Sequence, residues 1–265
     1  TDKGYYESQN QPVNTPDHIK GNVQDAWDQG YKGEGIAVAV IDSGADPSHK
    51  DFQTAPTNPK FSKEDMEKII KKLGHGRYVS PKFPYVHNMI TGDDDQIKEN
   101  NQDAVKDGSH GQHVSGIIAA NGQPDNKNGE YVVGVAPEAQ LLFLKYFSDD
   151  GTTGDVAEAI YDAVNAGADV ISLSLNSAPN VPNLNNADQR AIRYAVDHGV
   201  VISVSASNDG NSASIDASNN VSDKDDYYPN SNLGNYKPFS SGDIGDPADS
   251  PDAITVAAEK SEQDE

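Results

Sequence analysis

Three residues of this chain have side chains suited to acyl-transfer chemistry, and each stands where an element ends or begins. Asp42 follows the apolar run Val38-Ala39-Val40-Ile41, His110 opens His110-Gly111-Gln112-His113-Val114-Ser115-Gly116, and Asn208 follows the run from Val200 to Ala206. A carboxylate that orients an imidazole, an imidazole that moves a proton and an amide that donates to an oxyanion are three parts of a serine-nucleophile site. Taken singly, each has a plainer reading. Strand-end Asp residues cap helices and turns, a first-turn His beside Gly is ordinary helix-terminus chemistry, and Asn-Asp-Gly is a common turn sequence.

Elements must bring these distant positions together. The stretch 36–41 is apolar at every position, which predicts a parallel strand buried on both faces. Ser109 can cap a helix whose Val114, Ile117 and Ile118 share one face. Further on, the pattern predicts a strand over 140–147 and a helix over 155–166, with Val156, Ala159, Ile160, Ala163 and Val164 at helical spacing before Gly167. A strand over 169–175, a helix over 187–197, a strand over 200–206 and a last strand over 253–258 follow. Strands alternating with helices imply right-handed crossovers and a mainly parallel sheet covered by helices, an α/β fold. In such a sheet, functional groups gather at the carboxyl ends of strands and the amino ends of the next helices. Residues 1–22 read as a polar extended arm. Within the remainder, 53–107 reads as a surface insertion, carrying a Lys/Glu-rich helix over 62–73.

The 265 residues include 20 Lys and Arg against 42 Asp and Glu, a net charge of −22. That balance excludes a nucleic-acid binder, which needs a basic face, and opposes binding to anionic lipid. There is no cysteine, so disulfides, thiolate metal sites and a cysteine nucleophile are all excluded. No apolar stretch approaches the roughly 18 residues of a membrane span.

The local sequences around the three residues resemble those of the subtilisin family of serine endopeptidases. Val40-Ile41-Asp42-Ser43-Gly44-Ala45-Asp46-Pro47-Ser48-His49 is similar to its aspartate motif, His110 to Gly116 to its histidine motif, and Ala206-Ser207-Asn208-Asp209-Gly210 to its oxyanion motif. Val133-Gly134-Val135-Ala136-Pro137-Glu138-Ala139 resembles the turn into the next strand, and Val170-Ile171-Ser172-Leu173-Ser174-Leu175 the strand beside the substrate. The long spacing from Asp42 to His110 is most like that of the large cell-envelope proteinases of Gram-positive bacteria, the branch of the lactocepins and C5a peptidases. The resemblance implies a three-layer subtilisin-like fold and a secreted or wall-attached protein. It makes His110 the general base and acid, Asp42 its orienting carboxylate and Asn208 the oxyanion donor. Ser174-Leu175-Asn176 and Ser205-Ala206-Ser207 would form two walls of the specificity pocket, while Gly151-Thr152-Thr153 would pair with extended substrate. His113 reads as a structural helix residue. Asp51 corresponds to a calcium ligand of many subtilisins, with the loop 121–130 as the source of other ligands; no cofactor is required for the chemistry itself.

Some positions depart from the family pattern. Gln112 stands where Thr is usual, and Asn176 and Ser207 stand where glycines are usual. The family's nucleophile motif, Gly-Thr-Ser-Met-Ala-x-Pro, has no counterpart here, and Gly210-Asn211-Ser212-Ala213-Ser214 lies too early to serve. The expectation is that the fold is incomplete without a second, noncovalently bound C-terminal chain of the same precursor, which carries the serine. The competing reading is an inactive binding or scaffold fragment.

Overall fold

A computed structural model of the chain describes residues 12–98, 110–124, 130–148, 152–175, 187–206 and 250–256. Helices α1 (Thr15–Lys20) and α2 (Val23–Asp28) precede strand β1 (Ala37–Asp42). Next come α3 (Lys63–Leu73), β2 (Tyr85–Asn88), α4 (His110–Ala119) and β3 (Gln140–Lys145). The chain continues through α5 (Val156–Asn165), β4 (Val170–Leu173), α6 (Ala187–Asp197), β5 (Val201–Ser205) and β6 (Ile254–Val256). The six strands form one sheet in the order β2-β3-β1-β4-β5-β6, with every neighbouring pair parallel.

The unbroken apolar run of β1 has the cause expected for it. Ala37, Ala39 and Ile41 point to one face, where they join Leu142, Leu144, Met66 of α3, Ile160 of α5 and Ile192 of α6 in one core. Val38 and Val40 point to the other, against Leu141, Phe143, Phe52, Phe83 and Ala119 of α4. Both β1 and β3 are buried at all six positions, each large apolar side chain contributing about 1.5–3 kcal/mol. Two cores separated by one sheet make three layers.

Local chemistry sets the helix ends. Asp155 accepts from the Glu158 N–H at 2.9 Å to start α5, and Ser62 Oγ accepts from the Asp65 N–H at 3.1 Å to start α3. The carbonyls near the end of α4 are satisfied by the Val133 to Ala136 turn. Val135 N–H donates to Ile117 O at 2.9 Å, Ala136 N–H to Ile118 O at 2.8 Å and Gly134 N–H to Ala120 O at 2.7 Å. A Cβ on Gly134 would lie 2.4 Å from Ala119 N, so this close backbone approach requires glycine.

Two local expectations are corrected. The arm expected over 1–22 includes helix α1, tied down where Asn14 Nδ2 donates to Val133 O at 2.7 Å; a six-residue helix is too short for polar residues to show a period. The stretch 53–98 does more than lie on the surface, because β2 adds an edge strand to the sheet beside β3 and Met66 is fully buried. The four residues of β2 are too few to announce a strand by alternation. The strands over 140–145, 170–173 and 201–205 are shorter than their apolar runs, and the last strand is seen over 254–256, with 257 and 258 outside the described residues. No helix among the described residues is long and apolar enough to cross a membrane.

Candidate active site

Register brings the site residues to one level. Ile41 pairs with Leu173 and Leu173 with Val204, so Asp42, Ser174 and Ser205 each stand one residue further on, at the carboxyl edge of the sheet. Helix α4 packs on β1 and β3 and presents its first residue, His110, over the same edge.

His110 Nδ1 lies 2.8 Å from Asp42 Oδ1. The carboxylate is 1% exposed and the imidazole 50%, so a buried group orients a ring that meets solvent. The Ser43 N–H donates to the same Oδ1 at 2.7 Å, while Oδ2 is buried without a hydrogen-bond partner among the described residues. With Nδ1 committed to Asp42, Nε2 is the nitrogen left for proton transfer, the division of labour in a Ser-His-Asp site.

The next helical residue clamps this pair in place. The Gly111 N–H donates to Ser43 Oγ at 3.1 Å, and a Cβ on Gly111 would lie 2.4 Å from Gly44 O. Gln112 Oε1 accepts from the Asp46 N–H at 2.8 Å, so the departure from Thr places a longer acceptor that pins the loop after β1. These roles of Ser43 and Gln112 were not assigned from sequence, which carries no signal for a contact between residues 66 apart. His113 is exposed on the same helix.

The family model for the Subtilase family matches residues 33–264. The chain belongs to the subtilase family. It is 40% identical to the PII-type proteinase of Lactococcus lactis subsp. cremoris over 210 residues, 77% of this chain and 11% of that protein. It is 37% identical to the C5a peptidase of Streptococcus pyogenes over 205 residues, 74% of this chain and 16% of that protein. The chain thus spans about a tenth to a sixth of the length of these relatives. In fold it is similar to a mutant of the protease domain of PatA, with a TM-score of 0.51 and 22% identity, covering 86% of this chain and 58% of that one. The prenylagaramide maturation protease PagA gives a TM-score of 0.50 at 18% identity, covering 88% and 57%. The α/β fold expected from the strand and helix pattern is therefore the subtilase fold.

The positions expected from the family resemblance to contact substrate lie, where they are described, near the Asp42 and His110 pair. The Tyr146 N–H donates to Asp42 O at 2.8 Å, and the chain then turns back so that Ser148 N–H donates to Thr152 O at 3.0 Å and Gly154 N–H to Tyr146 O at 2.6 Å. Thr152 is exposed here and joined to the end of β1 through Tyr146. Burial raises the Tyr146 phenol above its ordinary value, opposed by a hydrogen bond with Thr153 and reinforced by Asp188 and Asp155, so it stays a neutral hydrogen-bonding group. Ser174 and Leu175 follow β4, Ser205 ends β5, and Ala206 donates its N–H to Val256 O at 2.7 Å. Asn208, Gly151, Asn176 and Ser207 lie outside the described residues.

Asp51, the position of the expected calcium ligand, is buried within a 3-10 turn (Lys50–Phe52). Lys50 Nζ donates to its Oδ1 at 3.0 Å and also to Glu130 O, while the Val132 N–H donates to Oδ2 at 3.3 Å. Both carboxylate oxygens are thus engaged, and the positive charge between Asp51 and the 130–132 loop is an ammonium. Residues 125–129 of the loop expected to supply the other calcium ligands lie outside the described residues. Asn121 Oδ1, in the neighbouring turn, is buried without a partner among the described residues.

Proposed function

We propose that this chain is the Asp- and His-bearing part of a serine endopeptidase that hydrolyses peptide bonds in proteins through an acyl-enzyme, with the nucleophilic serine supplied from outside these 265 residues by a separate C-terminal chain of the same precursor. The observation that carries the reading is the His110 Nδ1 to Asp42 Oδ1 contact of 2.8 Å in a member of the subtilase family.

His110 Nε2 accepts the serine proton as the serine oxygen bonds to the scissile carbonyl carbon. Asp42 holds the resulting imidazolium by charge and by the Nδ1 hydrogen bond. Asn208 donates to the oxyanion. His110 then returns its proton to the leaving amine as the C–N bond breaks, and a water molecule repeats the sequence to release the acid product. Extended substrate runs along the edge at Gly151 and Thr152. The residue before the scissile bond sits between Ser174-Leu175-Asn176 and Ser205-Ala206-Ser207. Side chains at Asn176 and Ser207, where the family usually has glycine, would narrow that pocket or make it more polar. The similarity to proteinases of Lactococcus and Streptococcus supports a secreted or wall-attached location in a Gram-positive bacterium.

A fluorophosphonate probe tests the assignment. It should label a serine on a larger polypeptide that co-purifies with this chain. Labelling of this 28.3 kDa chain would overturn the reading by placing the nucleophile within it, and labelling of nothing would overturn it in favour of a non-catalytic scaffold.

A further inference from the structure

The geometry points to a divalent transition-metal site, of the kind that takes Zn2+, built by His75, His87 and Asp162 on the side of the sheet opposite to the helix that carries His110. One ligand atom from each of the three side chains lies within 4.8 Å of the other two. Tetrahedral Zn2+ with bonds of 2.0–2.1 Å separates its donors by about 3.3 Å, so closing the set takes shifts on the order of 1 Å.

The three residues come from separate elements. His75 follows the end of α3, His87 is the third residue of β2, and Asp162 lies on α5. His75 Nε2 is 2.6 Å from Asp162 Oδ1. The two imidazoles are stacked with centroids 4.4 Å apart and planes inclined by 26°. A plain hydrogen-bonded pair would account for His75 and Asp162, but not for a second imidazole held against them.

Neighbouring groups orient each ligand. Asp94 Oδ1 lies 2.7 Å from His87 Nδ1 and also accepts from the Asn88 N–H at 2.9 Å, which turns His87 so that Nε2 is the nitrogen Asp94 leaves uncommitted. Tyr85 Oη donates to Asp162 Oδ2 at 2.7 Å, which leaves Oδ1 for the site. The backbone after His75 is fixed as well. Gly76 has φ +88°, and a Cβ there would lie 2.2 Å from the Tyr85 ring. A carboxylate behind a histidine is the usual outer support of a metal-bound imidazole.

The donor set selects the metal. Two imidazoles and one carboxylate suit Zn2+ and its transition-metal neighbours, whereas Ca2+ and Mg2+ take oxygen donors. A groove of about 750 Å³ borders the site and is also lined by Glu158, one helical turn before Asp162, so either Glu158 or water can complete the coordination. A bound ion would tie α3, β2 and α5 together and fasten the 53–98 segment to the protease scaffold.

The complete protease, stripped with a chelator, should bind one equivalent of Zn2+ and give the visible band of tetrahedral Co2+ when Co2+ is substituted. His87→Ala should abolish the band and weaken Zn2+ binding by at least about tenfold, and Asp94→Asn should weaken it by about 10–100-fold. His113→Ala should change neither. His75→Ala, at a half-exposed position, provides the same test should circular dichroism show His87→Ala unfolded. A wild type without the Co2+ band, or Zn2+ affinity unchanged in both His75→Ala and His87→Ala, would overturn the site.

Discussion

Gly111 rests directly on the backbone of Gly44: a Cβ on Gly111 would stand 2.4 Å from the Gly44 carbonyl oxygen and 2.9 Å from the Phe143 ring. This contact sets the height of α4 over β1 and therefore the distance from His110 to Asp42. Gly111→Ala should cost about 1–3 kcal/mol of stability through overpacking. Because the helix must move to admit the methyl group, kcat should fall much further than the folded fraction. Thermal melts run beside kcat measurements test this, and full activity in a stably folded variant would refute it.

Asp42→Asn should leave the Ser43 N–H a hydrogen-bond acceptor while removing the charge opposite the imidazolium. Activity is expected to drop by about 10⁴-fold, with little change in melting temperature. Single-turnover kinetics on the complete protease would reveal whether the loss falls on acylation.

Lys82 is 1% exposed and donates to Pro137 O and Ala139 O, both at 2.7 Å. Burial lowers its ammonium to about 7, against a smaller opposing effect of Glu138. Its unfolded value is 10.5, so between about 7 and 10.5 the unfolded chain binds the extra proton. Stability from this group therefore rises with pH across that window and is lowest below it. In Lys82→Met the dependence disappears. The melting temperature of the variant minus that of the wild type should accordingly decrease as pH is raised from about 7 to about 10. A constant difference would show that Lys82 does not titrate there.

Ser115 is fully buried in α4, and its Oγ has no hydrogen-bond partner among the described residues. An unsatisfied buried hydroxyl costs about 1–3 kcal/mol, and Ala is the better helix former. Ser115→Ala should be neutral or stabilising by about 1 kcal/mol in denaturant melts. A loss of more than about 1 kcal/mol would mean that the hydroxyl is satisfied in solution.

The Lys50 ammonium supplies the positive charge beside the buried Asp51 carboxylate. Wild-type melting should be insensitive to calcium chelation. Lys50→Met should melt lower and become responsive to calcium, which would then neutralise Asp51. Strong destabilisation of the wild type by a chelator selective for calcium would contradict this placement.

Local pattern alone was enough for α5, where helical spacing, the Asp155 cap and Gly167 agree, and for β1, whose unbroken apolar run requires a core on each face. Local pattern also placed Asp42 at a strand end and His110 at a helix start, as found, but their roles came from the resemblance of the surrounding motifs. Their partnership was expected from the resemblance alone; its geometry is tertiary, since the 2.8 Å contact joins residues 68 apart that the sheet register and the seat of Gly111 on Gly44 bring within reach. The edge strand β2 was hidden because four residues between turns carry too little periodicity, and they become a strand only by pairing with β3. Likewise, His75, His87 and Asp162 have no shared spacing in the chain. Their convergence depends on α3, β2 and α5 meeting around one core, since long-range packing, not local propensity, decides which side chains share a site.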